Sequence, residues 1–140
     1  MKINQSLRSR FAHHQDGFRR RPLEEITLHA SAGSSLQGAI EWLLRQGFNY
    51  HFIIDRDGEV YQLISFYNRG RHNVATNDSG IGICLVGNGT YTLEQVSTLG
   101  RLVKNDRRLK NLEVRKHKDS RATLCPVGVP RTFIDFLNEL

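Results

Sequence analysis

One stretch limits what this 140-residue chain can fold into more than any other: Ile81-Gly82-Ile83-Cys84-Leu85-Val86, closed by Gly87-Asn88-Gly89. An uncharged run of strand length suits a strand covered on both faces, and its natural place is the middle of a sheet. Such a strand needs neighbours. Ile26-Thr27-Leu28-His29-Ala30 reads as a second buried strand, with His29 near its C-terminal end. Two further runs, Asn49–Asp55 and Glu59–Ile64, flank Arg56-Asp57-Gly58. Asp-Gly between apolar runs is the strongest short-range hairpin signal, so this pair is expected to be antiparallel and the sheet mixed. Leu112-Glu113-Val114-Arg115 is a short strand that delivers His117.

Helical segments alternate with these strands. Leu36, Ile40, Leu43 and Leu44 share one helical face, with Ser34 or Ser35 to cap the segment and Gly47 to stop it. Thr92, with Gln95 three positions on, carries the capping-box pattern ahead of Val96, Leu99, Leu102 and Val103. A last helix is expected from about Arg131, bearing Phe133, Ile134, Phe136, Leu137 and Leu140. Strands interleaved with helices indicate an α/β fold, a central mixed β-sheet flanked by helices. Residues 23–140 are read as one domain, long enough to bury roughly two-thirds of its unfolded surface. Residues 1–22 hold Arg8, Arg10, Arg19, Arg20 and Arg21 with no clean period, and are read as a basic N-terminal arm or poorly ordered extension with one short helix, more simply a solvated tail than a polyanion-binding one.

Lys and Arg exceed Asp and Glu by 20 to 14, a net charge of +6. That balance favours an anionic partner without saying which, and a basic surface that only keeps the protein soluble fits equally well. No window approaches the apolar length of a membrane span, so no stable membrane insertion is expected. Met1–His14 lacks an apolar core segment, so it does not read as a secretory signal and cytoplasmic synthesis is expected. In a reducing compartment Cys84 and Cys125 stay unpaired. Cys84 is expected as a small core residue, whereas Cys125, beside Pro126 in a polar loop, suits a ligand.

The chemistry concentrates at His117-Lys118-Asp119-Ser120-Arg121-Ala122-Thr123-Leu124-Cys125-Pro126. Imidazole and thiolate are zinc ligands, and three protein ligands leave a fourth position for water, as a catalytic site requires. His29, His117 and Cys125 are the three candidates, each from a strand end or the loop beside it. Tyr50, at the start of a strand, and Thr123, two residues before Cys125, are the hydroxyls best placed to stabilise an oxyanion. A positioned donor of that kind contributes about 3 kcal/mol. On spacing alone a satisfied core histidine, a sheet-edge tyrosine and a plain loop hydroxyl are the more ordinary readings of these residues. His72 stands in the turn-rich stretch 65–80, where substrate contacts often lie.

Four blocks of this chain resemble the type 2 N-acetylmuramoyl-L-alanine amidases, a superfamily of phage lysozyme-type amidases and peptidoglycan recognition proteins. They are Leu28-His29-Ala30-Ser31, Tyr50-His51-Phe52-Ile53-Ile54 followed by Arg56-Asp57-Gly58, Ile81–Gly87, and His117 with Cys125-Pro126. Together they span about residues 24–137. The resemblance implies one Zn²⁺ ion at His29, His117 and Cys125. It also implies hydrolysis of the amide between the lactyl group of muramic acid and L-alanine in peptidoglycan. Tyr50 would be catalytic, with Thr123 at a position that is lysine in some phage members. His72 matches a groove histidine near metal and substrate, and Asn88 is a weaker groove position. Ala122 replaces a proline often found there.

The leading expectation is therefore a zinc amidase. It is read as a phage endolysin made in the host cytoplasm, reaching the wall by a holin-type route and acting as a monomer with no obligate nucleic-acid partner. The alternatives are a peptidoglycan receptor without turnover and a phage regulator that also binds RNA polymerase. Retention of Cys125 argues against the first, and only the Arg-rich arm motivates the second.

Overall fold

The computed structural model describes residues 1–14, 16–117, 125–126 and 128–140. Its elements are β1 (Glu25–Ala30), α1 (Leu36–Gln46), β2 (Phe52–Ile54), β3 (Val60–Gln62), β4 (Gly80–Leu85), α2 (Leu93–Asn105), β5 (Glu113–Lys116) and α3 (Arg131–Glu139). The strands form one sheet in the order β3-β2-β4-β1-β5. β4 is its centre, and all six of its residues are buried. β4 runs parallel to β1 and β2, β1 runs parallel to β5, and the hairpin pair β2–β3 is antiparallel. The mixed α/β sheet expected from the sequence is the one found.

Alternation along β4 divides the interior into two layers. Ile81, Ile83 and Leu85 face α2 and α3, packing with Leu99, Leu102, Ile134 and Leu137. Cys84 and Val86 face the opposite way, toward Ile40 and Leu43 of α1. His29 pairs with Cys84 and Ile53 pairs with Cys84 from the other side, so all three point into the α1 layer. This row carries the functional site.

Local chemistry sets the element ends. The Ser35 side chain accepts from the Gly38 N–H at the start of α1, and Gly47 ends the helix at φ 72°, a left-handed conformation that suits glycine. Thr92 and Gln95 cap α2 reciprocally. The hairpin turn closes where the Gly58 N–H donates to the Asp55 carbonyl, with Gly58 at φ 87°. The paired strands are shorter than the apolar runs around them. His51, just before β2, is instead held to β4, its backbone N–H donating to the Gly82 carbonyl and its Nδ1 accepting the Gly82 N–H.

The described residues of the segment 1–22 correct the expectation of a solvated, poorly ordered arm, while its short helix is present. They do not hang free. Asn4 adds a parallel bridge to the edge strand β3, its N–H donating to the Val60 carbonyl and its carbonyl accepting from Gln62 N–H. A short 3-10 helix, Arg8–Phe11, then puts Phe11 fully inside the α1 layer. The Asn49 side-chain amide donates to the His14 carbonyl, Asp16 pairs with Arg71, and Phe18 bridges to Asn68. One buried aromatic anchors the segment, while Arg8, Arg10, Arg20 and Arg21 stay exposed. At the opposite edge of the sheet, the Asn138 side-chain amide of α3 both accepts the Val114 N–H and donates to the Val114 carbonyl.

Candidate metal centre and active site

Parallel register explains how two ligands 88 positions apart in the chain become neighbours. Leu28 of β1 pairs with Lys116 of β5, so one residue further on His29 stands beside His117. Their ring centroids are 4.6 Å apart. The chain then returns past β1 at Cys125, whose sulfur accepts the Ala30 N–H at 3.3 Å and lies 3.8 Å from His29 Nδ1. One ligand atom from each of His29, His117 and Cys125 lies within 4.8 Å of the others. Two imidazoles and one thiol at this spacing match the donor set that zinc takes in open, catalytic sites. The structure thus brings the three sequence-derived ligand candidates together.

Burial tunes them for that task. His29 is 1% exposed, and burial first and the adjacent His117 second hold its imidazole far below the ordinary range. It is therefore neutral near pH 7, the form that binds a metal. Burial raises the Cys125 thiol, and the Ala30 N–H opposes that rise. Metal binding at Cys125 accordingly displaces a proton.

Tyr50 lies against the cluster, its ring centroid 4.8 Å from that of His29. Burial, followed by the Cys84 and Cys125 sulfurs, pushes its hydroxyl well above the usual range. The group remains a hydrogen-bond donor at any physiological pH. Thr123, the other expected hydroxyl, lies outside the described residues. His72 lines the same cavity, with Nδ1 2.9 Å from His29 Nε2. Asn88 does not reach it. That residue is exposed in an adjoining depression with Arg56 and Thr90, which touches the first cavity only at Ala32.

The cavity over the cluster measures about 370 Å³. Trp42, Phe48 and Arg71 line it too, and sequence reading assigned none of them a role. The available signal was Trp42 lying off the apolar face of α1; it and Phe48 are exposed, with ring centroids 5.8 Å apart. A larger depression of about 580 Å³ between the hairpin turn and α2 is lined by Asp57, Glu59 and Glu94 and contains neither histidine nor cysteine.

Beneath the site, His51 is fully buried, its Nε2 against the Asn68 carbonyl and its Nδ1 accepting from Gly82. Burial lowers its pKa to about 4, against the partial opposition of the Asn68 carbonyl. An unfolded chain protonates this imidazole near pH 6.5 and the folded one only near 4, so between those values the unfolded state binds more protons. Stability contributed by His51 is full above pH 6.5 and is lost as pH falls to 4, a change on the order of 3 kcal/mol. Urea unfolding of metal-free protein at pH 7.5, 6, 5 and 4 measures it; stability that stays level or rises on acidification would contradict this assignment.

Comparison with known proteins bears on this geometry. The family described as Amidase_2, N-acetylmuramoyl-L-alanine amidase, matches residues 19–128. The chain is 33% identical over 98 residues to a peptidoglycan-recognition protein of Drosophila melanogaster, covering 65% of this chain and 50% of that protein. It is 31% identical over 120 residues to an endolysin of Enterobacteria phage T3, covering 74% of this chain and 80% of that one. The chain thus spans about half the length of the recognition proteins it matches first. Among solved structures, the N-acetylmuramoyl-L-alanine amidase LysC from Clostridium intestinale URNW superposes with a TM-score of 0.78 at 23% identity, over 100% of this chain and 99% of that one. At that identity the likeness concerns the fold.

Proposed function

This chain belongs to the N-acetylmuramoyl-L-alanine amidase family, and from that premise we propose that it is a zinc-dependent amidase cutting the lactyl–L-alanine amide of bacterial peptidoglycan. The observation that carries the reading is the convergence of His29, His117 and Cys125 within 4.8 Å in a cavity that also contains Tyr50. His29, His117 and Cys125 would hold one zinc ion. When bound by such a set, zinc supplies Lewis-acid polarisation of a carbonyl and a water acidified to near pH 7.

The remaining work falls to the protein. Tyr50, kept protonated by burial, donates a hydrogen bond to the oxygen that gains charge as the amide carbon becomes tetrahedral. Thr123 is assigned the same kind of role from its place two residues before Cys125. Trp42 and Phe48 offer an apolar wall for the substrate, and Asn88 marks where a longer substrate leaves the cavity. The likeness to a phage endolysin supports the lysin reading; synthesis in the host cytoplasm, delivery to the wall by a holin-type route and action as a monomer are proposed along with it.

Purified peptidoglycan incubated with the protein should yield free lactyl ends and L-alanine amino termini, read by mass spectrometry. Chelation should stop the release and Zn²⁺ restore it; release that chelation leaves untouched would sink the zinc mechanism. Tyr50→Phe keeps the ring and removes the donor. Its turnover should fall by about 10²–10³-fold with little change in peptidoglycan binding. A variant as active as the parent would remove Tyr50 from the mechanism. The recognition-protein relative favours one other reading, a receptor without turnover, and that protein would bind the polymer in the same assay and release nothing.

A further inference from the structure

We propose that His72 is a positioning residue that selects the tautomer of the metal ligand His29, its Nδ1 accepting the Nε2–H of His29. The inference rests on the reading of the cavity as a zinc site. The two ring nitrogens of His29 face different partners: Nε2 is 2.9 Å from His72 Nδ1, and Nδ1 is 3.8 Å from Cys125 Sγ. A neutral imidazole carries one N–H. A proton on Nε2 gives His72 its hydrogen bond and leaves the Nδ1 lone pair aimed at the side where Cys125 and His117 converge. A proton on Nδ1 would place an N–H among the ligand atoms and block the site.

His72 is held tightly enough to impose the choice. Its backbone N–H donates to Asn77 Oδ1, which also accepts from Asn73 N–H, so the loop is tied at the histidine itself. The ring lies on two glycines. A Cβ on Gly82 would come within 2.7 Å of its Cδ2, and one on Gly70 would meet the same atom closer still. Glycine in the middle of the α1-facing row of β4 is therefore what makes room for the imidazole, and the sheet fixes the distance to His29. Partners of this second layer orient metal-binding histidines and raise their basicity.

The test is the zinc affinity of four full-length proteins, measured by competition with a chelator: the parent, His72→Asn, His72→Gln and His72→Phe. Asparagine puts an acceptor near the position of Nδ1. Glutamine moves the polar group to the far end of the ring site, and phenylalanine fills the space without an acceptor. Asparagine should hold zinc nearly as well as the parent, whereas glutamine and phenylalanine should weaken it by about 10–100-fold. Equal affinities throughout, or phenylalanine and glutamine outperforming asparagine as a pure space-filling role demands, would overturn the proposal. Long-range ¹H–¹⁵N spectra of the unsubstituted protein supply an answer that needs no variant to fold: His29 protonated on Nε2 and His72 bare on Nδ1 support the assignment, and a proton on His29 Nδ1 refutes it. A parent protein that takes up no zinc defeats the amidase reading, while its spectrum still decides the hydrogen bond.

Discussion

Cys125→Ser should no longer retain zinc through dialysis, and its release of peptide from peptidoglycan should fall to the level of a blank. Serine is nearly isosteric with cysteine, so what changes is the donor. A thiol with the Ala30 N–H directed at its sulfur can give up its proton to a metal, while an alcohol in the same place stays protonated at neutral pH and binds zinc weakly. The remaining pair, His29 and His117, is one ligand short of the three that open zinc sites use. Cys125 is only half-buried, so the fold should survive, and the thermal melt of metal-free Cys125→Ser should match that of the metal-free parent. Stoichiometric zinc in the purified variant would contradict the assignment of Cys125 as a ligand.

Phe11→Ala should lower unfolding stability by roughly 3–5 kcal/mol, the cost of emptying an aromatic site in a packed interior. The ring is fully buried and belongs to the same cluster as Ile40, Leu43, Tyr50 and Ile53. Its removal thus leaves a cavity in the layer that supports the site, and equilibrium urea unfolding at neutral pH reads the loss. A change within about 0.5 kcal/mol, as for surface positions, would restore the solvated-arm description of residues 1–22. Arg8→Ala and Arg10→Ala on the same turn serve as exposed controls.

The contrast between those two predictions shows what the amino-acid sequence made legible. Signals that act over a few residues were readable: the stop at Gly47, the Thr92–Gln95 box, the Asp-Gly turn, and the uncharged strand through Cys84. The ligand trio was readable because zinc accepts few side-chain types and each came from a strand end or a loop that follows one. Phe11 was hidden by its surroundings, a lone aromatic among arginines with no periodicity to announce a buried face. His72 was visible as a residue but not as a partner of His29. That contact spans 43 positions and depends on Gly70 and Gly82, whose missing side chains carry no pattern. Cys84 was rightly expected in the core, yet nothing in an apolar run could disclose that it pairs with His29 across the sheet.

The two asparagines at the margins of the sheet, Asn4 against β3 and Asn138 against β5, have a consequence for how the molecule behaves in a crowd. An open sheet margin invites another chain to dock as an extra strand. Here Asn4 occupies the Val60 carbonyl and the Gln62 N–H with its own backbone, and Asn138 satisfies both polar groups of Val114 with a side chain that imitates a peptide. A neighbour arriving at those positions meets hydrogen bonds already made, and five strands are as wide as this sheet can grow there.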